Sequence, residues 1–98
     1  MTVRLSNRAE RELLTIYAES AAQFGLAQAD RYVAGLRSAL ALLAEQPQLT
    51  RERQELISRA RAYRYKSHVI VYREEEEEDG ILVIRLPHGR SDWINQLD

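Results

Sequence analysis

The chain has no cysteine among its 98 residues. Disulfide cross-links, a thiol nucleophile and thiolate-held metal are therefore excluded, and nothing signals an oxidising compartment. Lysine is almost absent too: thirteen of the fourteen basic side chains are arginine, the type suited to planar, two-point contact with phosphate or carboxylate. No stretch approaches the roughly 18 consecutive apolar residues of a membrane span. The opening "MTVRLSNRAERELL" places a charge at every third or fourth position and lacks the apolar block of a secretory signal. A soluble, cytoplasmic protein is expected, with no membrane partner. Glycine and proline number only four and two. No phosphate-cradling glycine loop, dinucleotide fingerprint, HExxH metal pair or nucleophile elbow occurs, so neither a cofactor nor a metal site is expected.

What is present suits one small domain over residues 1–98, with 45% hydrophobic content to fill a single core. The formal net charge of -1 conceals an uneven distribution. "RERQELISRARAYRYK" (51–66) holds six basic and two acidic groups, whereas "EEEEED" (74–79) is entirely acidic. A basic patch on a near-neutral protein creates a directed field.

The apolar periodicity changes along the chain. "TVRLS" (2–6) alternates like a short strand. Asn7 with Glu10 has the spacing of a helix-start capping pair, and Leu13, Ile16, Tyr17 and Phe24 fall on one face of a first helix. Gly25 tolerates the left-handed backbone that stops it. Ala29, Val33, Leu36, Leu40 and Leu43 form the seam of a second helix ending before Pro47. So short a link makes the helices antiparallel neighbours. Residues 47–58 read as a polar connection with room for one helical turn. "RARAYRYK" then alternates with period two, with Arg61, Tyr63 and Tyr65 on one face. "HVIVYR" (68–73) and "ILVIRL" (81–86) are apolar on both faces and so belong at the centre of a sheet. Asp79-Gly80 between them is a hairpin signal, and "RSDWINQL" ends the chain as a short helix or ordered tail. The order is β-α-α-β-β-β plus a tail, an α+β domain with a helical hairpin packed beside a small antiparallel sheet.

The polar residues carry competing readings. Six adjacent acids repel one another and belong in a solvated hairpin tip, where they also discourage edge-to-edge pairing; metal binding would need carboxylates converging from a fixed scaffold. His68 suits a structural or turn role. His88 leaves a central strand near Arg85 and Arg90 and opposite Arg61 and Arg64, where a general acid or base and a hydrogen-bonded structural residue are both admissible. Asp92 and Tyr63 are the candidate proton-transfer partners, with no spacing that forces them together.

Three stretches together resemble the ParE branch of the RelE/ParE toxin family. "FGLAQADRY" (24–32) resembles its inter-helix signature. "RAYRYKSHVIVYR" (61–73) resembles its arginine strand followed by Ser-His-Val-Ile-x-Tyr-Arg, matched by Arg61, Ser67, His68, Val69, Ile70, Tyr72 and Arg73. "IRLPHGRSD" (84–92) resembles its Ile-x-Arg-x-x-His-x-Arg-x-Asp ending, matched by Ile84, Arg85, His88, Arg90 and Asp92. The chain departs from the pattern at Pro87, where an aliphatic residue is usual, and in the long "EEEEED" hairpin.

The resemblance implies a RelE/ParE-like fold and the toxin of a type II toxin–antitoxin pair. Such a toxin inhibits DNA gyrase, blocks replication, and is neutralised by a cognate antitoxin in a hetero-oligomeric complex. A ribosome-dependent mRNA endonuclease of RelE type and a non-toxic, antitoxin-binding homologue are the alternatives. The RelE branch typically uses a tyrosine or histidine near its C-terminus, and here no tyrosine follows Tyr72. No catalytic residue is assigned. The expected target-binding set is Arg61, Arg64, Arg85, His88, Arg90, Asp92 and Trp93. Surplus apolar residues off the two helical core stripes (Leu14, Ala18, Ala21, Ala22, Ala39 and Leu42) are the expected antitoxin surface.

Overall fold

The computed structural model describes residues 1–56 and 59–96. Ile57 and Ser58, near the end of the 47–58 connection, and Leu97 and Asp98, at the end of the tail, lie outside the described residues. A short strand β1 (Thr2–Leu5) leads into helices α1 (Asn7–Phe24) and α2 (Leu26–Glu45), then a single 3-10 turn (Pro47–Leu49). Strands β2 (Arg61–Tyr65), β3 (His68–Glu75) and β4 (Gly80–Arg85) follow, and a second 3-10 turn at Ile94–Gln96 forms the tail.

The sheet order is β1-β4-β3-β2, so the two doubly apolar strands are the central ones. The sheet is mixed rather than antiparallel throughout. β2, β3 and β4 form an antiparallel meander, but β1 runs parallel to β4, with Thr2 opposite Gly80 and Leu5 opposite Val83. Hairpin links force the meander to be antiparallel, whereas β1 is separated from β4 by the whole helical layer and no turn sets its direction. Gly80 makes this pairing close: a Cβ there would lie 1.9 Å from the Thr2 carbonyl oxygen. The β3–β4 ladder slips between Tyr72↔Val83 and Val71↔Arg85, leaving Ile84 as the extra residue of a bulge.

α1 starts one residue earlier than the Asn7 cap expected from spacing. Ser6 is still extended, and its Oγ accepts from the Ala9 amide at 3.0 Å while donating to the Ile84 carbonyl at 2.7 Å. The same residue thus caps the helix and pins it to β4. Gly25, at φ 92°, both ends α1 and opens α2. Of the expected α1 stripe, Leu13 and Ile16 are buried. Tyr17 lies at the seam with α2, its hydroxyl donating to Asp30 at 2.8 Å. Phe24 is 62% exposed because it sits at the hairpin tip, beyond the sheet's cover.

The alternation of the strands feeds two cores. Leu36, Leu40 and Leu43 of α2 with Leu13 and Ile16 of α1 cover Ile70, Tyr72, Ile81 and Val83 on one face. On the other face Val69 and Val71 are covered by Leu56, Ala60 and Trp93, with Ala62 and Ile84 at the margin. Each fully buried aliphatic side chain contributes about 1.5–3 kcal/mol, and burial from both sides explains why β3 and β4 lack a polar face. The acidic run is only partly a solvated tip. Glu74 and Glu75 are the last residues of β3, and Glu75 meets Arg4 of β1 at 2.9 Å. Glu76 to Asp79 make the exposed turn, with Asp79 at φ 50°.

Candidate functional site

The chain leaves β4 at a fastened point. Arg85, 7% exposed, faces α1, and its Nε and Nη2 donate to the Glu12 carboxylate, the latter at 2.5 Å. The other Glu12 oxygen accepts the Leu86 amide at 2.7 Å. One carboxylate therefore holds both the side chain that ends β4 and the backbone that follows it. Leu86 and Pro87 are buried, and the Pro87 carbonyl accepts from the Val69 amide at 2.9 Å. The segment then passes beside the two-residue β2–β3 turn, where the Gly89 amide donates to the Ser67 carbonyl at 2.8 Å and His88 forms an isolated antiparallel bridge with His68.

From His88 the chain makes a compact arc. The His88 carbonyl accepts from both the amide and the hydroxyl of Ser91, at 3.0 and 2.7 Å, and His88 Nδ1 accepts the Arg90 amide at 3.1 Å. Asp92 accepts from the Asn95 side chain at 3.0 Å. Trp93 then turns inward into the second core at 7% exposure, with the Arg53 guanidinium 5.8 Å above its ring. His88, Arg90 and Asp92 are thus left exposed on an arc tied down at both ends. Arg64 joins them from β2. Its Nε donates to the Lys66 carbonyl at 2.9 Å and its guanidinium lies over Gly89, where a Cβ would come within 2.9 Å of it.

The expected target-binding set therefore divides. Arg64, His88, Arg90 and Asp92 share the surface. Arg85 is interior and faces the helices. Arg61 is 9% exposed, lies on the opposite face of β2 from Arg64, donates to the Thr50 carbonyl and sits 3.9 Å from Glu52. Trp93 is buried in the second core. The helical set divides as well. Leu14 is 72% exposed and Ala18 and Ala22 are exposed, while Ala21 is half-buried. Ala39 is buried in the core at 9% exposure. Leu42 is 36% exposed on α2.

Sequence reasoning did not find the pairing of His68 with His88, whose rings meet edge to face with centroids 5.3 Å apart. His68 opens β3 and His88 follows β4, but their meeting depends on the β3–β4 register, which composition does not encode. Behind them the Tyr32 hydroxyl of α2 lies 2.7 Å from His68 Nδ1. Burial holds the His68 imidazole below its ordinary pKa, and the neighbouring His88 lowers it further, against smaller opposing effects of Glu19 and Glu12. Tyr32 is raised, chiefly by burial. A cleft of about 340 Å³ opens beside this group between the hairpin tip and the β2–β3 turn, with Ile16, Glu19, Phe24, Tyr32 and His68 in its walls.

Among the described residues, neither proton-transfer candidate is hydrogen-bonded to His88. Asp92 is engaged by Asn95, and Tyr63 packs against the helix-side core. Among the described residues, no group of three or more His, Asp or Glu is arranged to hold a metal ion. No helix among them is long and apolar enough to cross a membrane.

A sequence model described as the ParE toxin of the type II toxin–antitoxin system parDE matches residues 3–93. A solved structure titled as the chromosomal ParDE TA system from P. aeruginosa superposes with a TM-score of 0.74, covering 90% of this chain and 95% of that one at 16% identity. No curated protein sequence matches.

Proposed function

The chain belongs to the ParE family of type II toxins, and from that premise we propose that it arrests growth by binding DNA gyrase through the arc at residues 88–92 together with Arg64. The observation that carries this reading is the anchoring of the arc. Exposed His88, Arg90 and Asp92 are strung between the Glu12-held end of β4 and the buried Trp93. A recognition segment already held in shape loses little conformational freedom on binding, which is where affinity is commonly spent. Arginine is also among the side chains favoured at interface hot spots. The same geometry favours binding over catalysis, because His88 Nδ1 is occupied by the Arg90 amide and both candidate partners are engaged elsewhere. In this reading the protein needs no cofactor.

A cognate antitoxin would cover the outer seam of the helical hairpin, where Leu14, Ala18 and Ala22 are exposed and Ala21 is half-buried. An amphipathic helix laid on that seam is the mode such a surface suits. The test is brief induced expression with parallel readouts of the DNA damage response and of mRNA integrity. DNA damage without mRNA cleavage is the expected result. Cleavage without DNA damage would replace this reading with an mRNA endonuclease, and normal growth with neither would leave a non-toxic antitoxin-binding homologue.

A further inference from the structure

The joint between the β2–β3 turn and the recognition arc is built around two imidazoles. Two backbone hydrogen bonds hold it, Val69 amide to Pro87 carbonyl at 2.9 Å and Gly89 amide to Ser67 carbonyl at 2.8 Å. Between them the His68 and His88 rings meet at 5.3 Å. The His88 ring uses its Nδ1 in a way that requires the unprotonated nitrogen. His88 Nδ1 accepts the Arg90 amide, while His68 Nδ1 lies against the Tyr32 hydroxyl, which can donate to it or accept from it. A proton on His88 Nδ1 removes the acceptor that fixes Arg90. Protons on both rings place two like charges across the bridge.

The surroundings do little to offset those charges. Lys66 stands on the turn, within 6.0 Å of the Tyr32 ring centre, Arg64 lies over Gly89, and Arg90 follows on the arc itself. The acids facing the joint come from α1, and Glu12 is already committed to Arg85, leaving Glu19. Tyr32 and Tyr65 contribute neutral phenols.

We propose that the His68–His88 pair is an acid-sensitive latch: neutral rings hold residues 88–92 onto the β2–β3 turn, and uptake of two protons releases them. The inference rests on reading the arc as the recognition surface, and it adds a condition under which that surface loses its shape. The direction follows from linkage. The closed form disfavours the proton on His68, so as pH falls below about 6.5, the ordinary imidazole value, the open form takes it up first. Closure is complete above that value and weakens below it.

Hydrogen exchange of the free, full-length protein tests this at pH 7.5 and pH 5.5, with rates corrected for intrinsic pH dependence. Opening at the Gly89 and Arg90 amides should rise roughly tenfold relative to Tyr72 in the sheet, the scale of repulsion between two unit charges this close at a partly screened surface. His88→Asn keeps an acceptor for the Arg90 amide without a titrating group, so it should stay closed at both pH values; His68→Gln should lose most of the pH response. Gly89 and Arg90 exchange that tracks Tyr72 in the wild type overturns the latch, as does an undiminished pH response in His88→Asn. Because exchange is read without any target, failure of the gyrase assignment would leave this result standing.

Discussion

Removing the Glu12 carboxylate should be among the most destabilising single changes available to this fold. Glu12 satisfies two donors of Arg85 and the Leu86 amide, and the side chains of Arg85 and Glu12 are 8% and 21% exposed. Arg85 Nη1 is already buried without a partner, so the guanidinium has no spare acceptor to turn to. Breaking a buried pair from one side costs about 3–5 kcal/mol. Glu12 retains some solvent access, which places Glu12→Ala at the lower end, about 3 kcal/mol. That is a large part of the 5–15 kcal/mol typical of a whole domain. With a urea m-value of about 1–1.5 kcal/mol/M, the unfolding midpoint should fall by about 2–3 M. Glu12→Gln should lose less, because its amide oxygen still accepts from Leu86. Glu12→Leu combined with Arg85→Met should recover only the part owed to the unpaired guanidinium, because the Leu86 amide still loses its acceptor, a cost of about 1–3 kcal/mol. Urea unfolding followed by circular dichroism measures all three. A Glu12→Ala protein within 1 kcal/mol of wild type would refute the argument that this carboxylate fastens the end of β4.

Gly80→Ala should push β1 off β4, because its methyl would sit on the Thr2 carbonyl; a loss of about 2–3 kcal/mol is expected, with β1 amides exchanging faster than those of β3. Replacing Glu76, Glu77 and Glu78 by serine should change stability by less than about 1 kcal/mol, as for other exposed sites, and a larger loss in thermal unfolding would show that the tip is held. Arg90→Ala with Asp92→Ala should abolish growth arrest while shifting the melting temperature little, whereas Trp93→Ala should cost about 3–5 kcal/mol as a buried aromatic and lose arrest through unfolding. Arrest that survives the double change at Arg90 and Asp92 would move the recognition surface elsewhere.

Helices and central strands were legible because their apolar spacing is a local property. The seam from Ala29 to Leu43 and the doubly apolar β3 and β4 appear where periodicity puts them. Direction and partners were not legible. Alternation in residues 2–6 says that a strand forms but not which way it runs beside β4. Arg85 reads as a surface cation until Glu12, 73 residues earlier, is seen to meet it. Arg61 reads as a companion of Arg64, yet strand alternation turns the two to opposite faces, and the Thr50 carbonyl that accepts from Arg61 lies in a loop. Ala39 reads as surplus because the α2 stripe looks full without it, yet it is buried in the helix-side core. Trp93 follows a cluster of polar residues and gave no hint that it closes the far side of the sheet.

The alternation along the last strand's exit has a consequence for how the family member can change over generations. Leu86, Pro87 and Trp93 point into packed interior, while His88, Arg90 and Asp92 point out. The Arg90 side chain carries none of the hydrogen bonds that hold the arc, whereas His88 accepts the Arg90 amide and Asp92 accepts from Asn95, so on the reading proposed above Arg90 can change what the arc presents at the least cost to its shape. Drift at the tip is then nearly free of a folding penalty, as for most exposed sites, while the frame around it stays under strict constraint. On the proposed reading of the arc, a toxin built this way can follow a changing target by trial at its tip, with the scaffold carried along intact.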